Sequence, residues 1–144
     1  MQIHAEGGRA LARALRTNLS VCSLNLQLNR LGEEGGRAIF DVLRHHPSMD
    51  YLNLANNSLG PVTAAAISKF LMHNKALREL DLCGNELGAE GGAQIRDAVA
   101  QNTTLEQAAL TLSGMTQSDA LAVHDVLQSR AEARARQRLM QPKK

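Results

Sequence analysis

Apolar and polar positions along this chain recur with a fixed period of 28 residues. Leu24, Leu52 and Leu80 are each followed two positions later by Leu26, Leu54 and Leu82, and five positions later by Asn29, Asn57 and Asn85. Leu31-Gly32, Leu59-Gly60 and Leu87-Gly88 complete the motif, and no insertion is needed to keep the three copies in phase. A period of this length marks an array of supersecondary units, each burying its apolar face against its neighbours.

Each unit contains two shorter periodicities. Leu24-Asn25-Leu26-Gln27 alternates apolar and polar, the pattern of a half-buried strand with its leucines inward. Ser23, Asn25 and Gln27 then face outward. Asn29 falls where the strand ends, and an amide that both donates and accepts can bond backbone groups left without a ladder partner. Stacked copies predict a column of Asn29, Asn57 and Asn85. Ile39, Val42 and Leu43 follow at the i, i+3, i+4 spacing of one helix face. The stripe recurs at Ile67, Phe70, Leu71 and at Ile95, Ala98, Val99. It extends one unit outward at each end, to Leu11, Ala14, Leu15 and to Val123, Val126, Leu127, so five helices are predicted. Ala10, Ala38 and Ala66 beside the stripe are expected to let strand and helix approach closely. Phe40, Ser68 and His124 share a variable helix position.

Gly7-Gly8, Gly35-Gly36 and Gly91-Gly92 recur once per unit, replaced by Thr63-Ala64 and Asp119-Ala120. Glycine beside a helix start can bind phosphate, but these pairs lack the Lys-Ser/Thr of a nucleotide loop. Close packing of helix starts accounts for them, with Thr63 and Asp119 available as caps. In the last unit Ala108, Ser113, Met115 and Thr116 replace leucine, asparagine, leucine and glycine, which predicts a poor or shifted strand. The chain divides into a helix-only half repeat (1–22), three full repeats (23–106), a degenerate capping repeat (107–134) and a basic tail (135–144). The half repeat predicts an uncovered strand edge near Leu24–Gln27, open to another strand or subunit, as in the tail piece of a longer array.

The segments LNLQLNRLGEEGGRAIFDVL, LNLANNSLGPVTAAAISKFL and LDLCGNELGAEGGAQIRDAV resemble the ribonuclease-inhibitor-like class of leucine-rich repeats. Their asparagine, Leu-Gly form is similar to the Ran GTPase-activating and NOD-like receptor branch. The resemblance implies an α/β fold: a short right-handed solenoid with parallel strands on the concave face and helices on the convex face.

The 144 residues are 44% hydrophobic and 21% charged, as in one globular unit. Aromatic residues make up only 2%, so the core is aliphatic. Net charge is +2, but residues 130–144 hold six basic residues against Glu132 alone, leaving the remainder acidic. No apolar run approaches the roughly 20 residues of a membrane span, and the N-terminus lacks the apolar stretch of a secretory signal.

Catalytic chemistry finds no footing. Cys22 and Cys83 lie two units apart, with strands about 4.8 Å apart and an offset worth roughly 16 Å of chain, beyond the ~7 Å reach of a disulfide. Reduced thiols suit a cytoplasmic protein. His45 and His73, one unit apart, are expected to be neighbours at helix ends, where the helix dipole favours histidine, and no ligand spacing ties them to a metal. Glu33, Glu34 and Glu90 suit helix starts. No serine elbow, phosphate loop or zinc-protease motif occurs, so neither an enzyme nor a cofactor is expected.

Binding is the function that remains. Outward strand positions, with the residues just before two strands, select Asn25, Gln27, Asp50, Tyr51, Asn53, Arg78, Glu79 and Asp81 as protein-binding residues. Tyr51 is the sole tyrosine, of a type favoured at hot spots. Protein partners are expected on this face and at the open N-terminal edge, with no small-molecule substrate and no membrane. The basic tail suits an acidic partner. It lacks the stacking aromatics of single-strand binders, which disfavours nucleic acid. Arg9, Arg13, Arg16, Arg37 and Arg44 offer a second basic patch. The expected role is a scaffold within a larger intracellular assembly, with the cytoskeleton or cilium as a setting; regulation of a small GTPase is the alternative drawn from the resemblance.

Overall fold

Each alternating segment forms a three-residue strand, and each i, i+3, i+4 stripe forms a helix. In the computed structural model, which describes residues 2–142, the elements are α1 (Ala5–Thr17), β1 (Ser23–Asn25), α2 (Gly32–Leu43), β2 (Tyr51–Asn53), α3 (Pro61–His73), β3 (Glu79–Asp81), α4 (Ala89–Gln101), β4 (Gln107–Ala109) and α5 (Gln117–Met140). The strands make one parallel sheet in chain order. Its register advances by one repeat per strand: Leu24 faces Leu52, Leu52 faces Leu80, and Leu80 faces Ala108. Parallel neighbours require a crossover, and the helices supply it, packing consecutively from α1 to α5. The architecture is an α/β leucine-rich-repeat solenoid.

Leu26, Leu54 and Leu82 are buried, as are Leu31, Leu59 and Leu87. Burying each leucine contributes about 1.5–3 kcal/mol. Leu52 and Leu80 are covered on both sides, whereas Leu24, on the edge strand, is only half-buried. Phe40, at a position that varies between repeats, is fully buried, edge-on to Phe70 with ring centroids 5.3 Å apart. The ring bridges α2 to α3.

The last strand also departs from expectation. β4 pairs in register with β3. The ladder is made of backbone groups: Leu82 N–H donates to Ala109 O at 2.9 Å, and Gln107 N–H to Arg78 O at 3.0 Å. Losing a leucine side chain weakens the core there without removing a ladder partner.

The asparagine column forms. The Asn57 amide donates to Leu26 O at 2.8 Å and to Ala55 O at 3.1 Å. Asn85 repeats this one unit on, donating to Leu54 O and Leu82 O at 3.0 Å each, and accepts from Asn57 N–H and Leu59 N–H. Asn29 donates to Leu26 O and accepts from Ile3 N–H, both at 2.8 Å. Ser113 is too short to continue, and its buried hydroxyl has no partner among the described residues.

A second column stands where the helices end. Asn18, His46, Asn74, Asn102 and Arg130 are spaced by one repeat. Asn74 donates to Leu43 O and His46 O and accepts from Ala76 N–H and Leu77 N–H. Asn102 repeats the pattern with Leu71 O, Asn74 O, Thr104 N–H and Leu105 N–H. His46 takes this role through its ring: Nδ1 accepts from Ser48 N–H and Met49 N–H, so the proton resides on Nε2, which donates to Asn18 O at 2.9 Å. Asn74 and Asn102 satisfy carbonyls that a helix end leaves open and hold the chain as it enters the next strand.

Close approach of helix starts explains the paired glycines. A Cβ on Gly36 would lie 2.5 Å from Leu59 Cδ2, and one on Gly8 would lie 2.9 Å from Gly35 Cα. The alanine positions behave differently from expectation: Ala10 is exposed and Ala38 lines an outer groove between α1 and α2, so only Ala66 is buried. Capping differs too. Gly60 precedes α3, with Pro61 opening the helix, and Thr116 caps α5 by accepting from Asp119 N–H at 3.1 Å. Thr63 instead donates its hydroxyl to Glu33, and Asp119 pairs with Arg96 at 2.5 Å.

Candidate functional site

The parallel register brings the outward strand positions into rows. Ser23, Tyr51, Glu79 and Gln107 form one row, and Asn25, Asn53, Asp81 and Ala109 the next. At the second row each side-chain oxygen accepts from the backbone two residues on: Asn25 from Gln27, Asn53 from Ala55 and Asp81 from Cys83, at 3.1, 3.0 and 3.0 Å. These bonds end the strands and turn the chain toward the asparagine column.

Tyr51 is held rather than free. The Asn53 amide donates to its hydroxyl at 3.2 Å and to Gln27 Oε1 at 3.2 Å. Asn53 is thereby buried, at 5% exposure, and its amide is consumed in positioning the ring. Gln27, Asn25 and Glu79 are exposed, and Tyr51 and Asp81 are partly so. Beside the ring lies a depression of about 180 Å³ lined by Tyr51, Glu79, Asp81, Gln107, Ala108 and Ala109. On its β4 side the outward position opposite Asp81 is the small Ala109. The structure thus joins Tyr51, Glu79 and Asp81 into one acidic hollow, links Gln27, just past β1, to the ring through Asn53, and leaves Asn25 outside the hollow.

Gln107, Ala108 and Ala109 were not among the expected binding residues. Their register with Glu79, Leu80 and Asp81 was legible at one repeat's spacing, but the lost leucine pattern marked the unit as a cap. Cys83 borders this face, and burial, with Asp81 nearby, pushes its thiol above the usual range. The thiol is therefore kept protonated, and Cys83 and Cys22 are both free.

Asp50 and Arg78 belong to a separate column at the strand entrances. They pair at 3.5 Å, both more than half exposed. One repeat on, Glu106 pairs with Arg134 at 3.8 Å. The column alternates in sign, a pattern visible at 28-residue spacing, and as surface pairs the contacts contribute at most about 1 kcal/mol each.

The basic tail is reduced by these contacts. Arg130 donates to Val99 O at 2.7 Å, to Leu105 O at 3.3 Å and to Asn102 O, which draws it into the helix-end column. Burial, then the nearby Arg134, lowers its pKa from the ordinary arginine value. With Arg134 paired, Arg136 and Arg138 remain exposed on the last turns of α5; Lys143 and Lys144 lie outside the described residues. His45 and His73 are neighbours, ring centroids 6.2 Å apart. Among the described residues no group of three or more His, Cys, Asp or Glu side chains could hold a metal ion, and no helix is long and apolar enough to cross a membrane.

A parallel sheet stepped by 28 residues, backed by helices and tied by asparagines, defines the leucine-rich-repeat class. The family model for the leucine-rich repeat matches residues 17–40 and 73–95. Among solved structures the chain is similar to the Leiomodin-1 actin-binding site 2, at 22% identity and a TM-score of 0.80, over 94% of this chain and 78% of that one. It is also similar to the tropomodulin C-terminal domain of Caenorhabditis elegans, at 14% identity and a TM-score of 0.65, over 93% and 99% of the two chains. No curated protein sequence matches it. Neither structural match supports the small-GTPase alternative.

Proposed function

We propose that this chain is a non-catalytic protein-interaction module of a cytoskeletal assembly, using the sheet face centred on Tyr51. One observation carries the reading: an aromatic ring, oriented by a buried amide, stands beside two carboxylates in a hollow of about 180 Å³. Rigid aromatic anchors in such hollows supply much of the energy at protein interfaces. Glu79 and Asp81 favour a basic side chain from the partner. Asn25, Gln27 and the Asp50–Arg78 pair lie at the polar rim, where contacts set register and association rate more than affinity. The unpaired side of β1 is a second contact area, suited to a further strand or repeat. In this reading the repeats belong with the Ran-activator and NOD-like subclass, which their asparagine, Leu-Gly form resembles, and the protein is intracellular, as the proposed setting requires.

Similarity to an actin-binding site of leiomodin makes actin the first partner to test. Purified protein should bind actin in a sedimentation or calorimetric titration. The Tyr51→Ala, Asp81→Ala double variant should bind about 30-fold more weakly, corresponding to ~2 kcal/mol at a hot spot, with an unchanged thermal transition. Failure of the wild type to bind removes actin; undiminished binding by the double variant removes the sheet face.

A further inference from the structure

The helix side of the molecule carries a groove that the sheet-face reading does not use. It runs between α1 and α2, has a volume of about 600 Å³, and places Arg9, Arg13 and Arg16 along one wall. These arginines are spaced i, i+4, i+7 and form a single stripe about 10 Å long at the helical rise. All three are exposed, and none makes an ion pair among the described residues. At the equivalent positions α3 carries Ala65, Lys69 and Met72, so the stripe is not required by the repeat.

The opposite wall differs in sign and in freedom. Arg37 pairs with Asp41 at 3.7 Å, and Arg44 reaches the same carboxylate at 3.7 Å, so Asp41 is neutralised. Glu34, on the same wall, makes no ion pair among the described residues. The floor is Ala12, Ala38 and Val42. Small side chains there keep the groove open, and their apolar surface offers a contact that no phosphate backbone could use.

We infer that this groove docks an acidic amphipathic helix of a partner protein. Carboxylates at i, i+4 and i+7 of the incoming helix match the arginine stripe in length and charge, and a small apolar face settles on the alanine floor, the helix-in-groove mode of recognition. Arginine is suited to such pairs because its planar fork meets a carboxylate with two parallel bonds. Glu34 on the facing wall opposes a polyanion of uniform charge, which favours a helix carrying acid on one side only. The site is independent of Tyr51 and lies across the molecule's helical layer from the sheet.

Fluorescence anisotropy with the full chain tests this directly. The probe is a labelled, alanine-rich 18-residue helical peptide, about 27 Å long, with glutamates at i, i+4 and i+7 near its middle to meet the arginine stripe. It should bind, weaken as salt is raised, and lose at least about tenfold in affinity to the Arg9→Glu, Arg13→Glu, Arg16→Glu variant, roughly 1.4 kcal/mol. The thermal transition of that variant should be retained. Tyr51→Ala, Asp81→Ala protein should bind the peptide normally, which separates this site from the sheet face. The proposal is overturned if a glutamine version of the peptide binds equally well or if neither binds. It is likewise overturned if the triple variant is unaffected, or if a labelled single-stranded RNA binds as tightly through the same arginines.

Discussion

At the residue scale, single side chains do work that their residue type does not announce. Glu33 stands in the first turn of its own helix, as its position implies, and its carboxylate also reaches across to α3, accepting from Gly60 N–H at 2.8 Å, and from Val62 N–H and Thr63 N–H at 3.0 Å each. Burial acts to raise its pKa, but the bonds from Thr63, Val62 and Gly60 prevail and hold it below the usual carboxylate value. Because the folded pKa is depressed, the stabilisation is fully present above the unfolded value of about 4.3 and is lost as pH falls through the folded one. Glu33→Gln should therefore cost about 1–2 kcal/mol at neutral pH. The gap to wild type should close progressively below pH ~4.3, read by urea denaturation across a pH series. A gap that stays constant down to pH 2 would contradict this account. The repeat made a helix-start role legible, since acid suits that place, but not which helix would benefit. The equivalents Ala5, Pro61, Ala89 and Gln117 carry no carboxylate, so no second copy revealed the reach.

At the element scale, α5 shows how a solenoid ends. Four helices have 12 or 13 residues, whereas α5 has 24 and runs past the point where the others stop. A short amide at residue 130 would sit on a continuing helix, too far from the carbonyls of the preceding unit. Arginine spans that gap to Val99 O and Leu105 O. Removing it leaves these carbonyls without their donor, so Arg130→Ala should destabilise by about 2–3 kcal/mol. Arg130→Asn, although it restores the residue usual in the column, should be nearly as costly. Thermal and chemical denaturation of both variants decides the matter; full rescue by asparagine would mean that α5 can stop where its predecessors do. Arg96 braces the other end of α5, its guanidinium held above the ordinary value first by Asp97 and then by Asp119. The extension of the last helix was legible in its alanine-rich sequence. The diversion of Arg130 from the charged tail was not, because it requires knowing that position 130 lies over an open helix end.

At the scale of the whole molecule, stability is graded along the stack. Units touch only their neighbours, so an inner unit is covered twice and an edge unit once. Leu52 is fully buried between β1 and β3, whereas Leu24 on β1 has one flank uncovered. Leu52→Ala should cost about 2–5 kcal/mol, and Leu24→Ala distinctly less, as urea midpoints would reveal. Equal losses would deny that position in the stack controls the energy. The parallel order of strands was implied by the resemblance of the repeats; sequence alone determined the period, the helix stripe and the column at Asn29, Asn57 and Asn85, because each follows from local periodicity repeated at constant spacing. It also made the sheet-face rows readable as far as the leucine pattern continued. Tertiary structure alone decided that Phe40 is core, that Asn53 holds the Tyr51 ring, and that β4 lines a hollow beside it. It decided, too, that the arginines of α1 line a groove. These outcomes depend on the relative size and reach of side chains from different units across a shared space, and periodicity specifies which positions meet without specifying how they fill it.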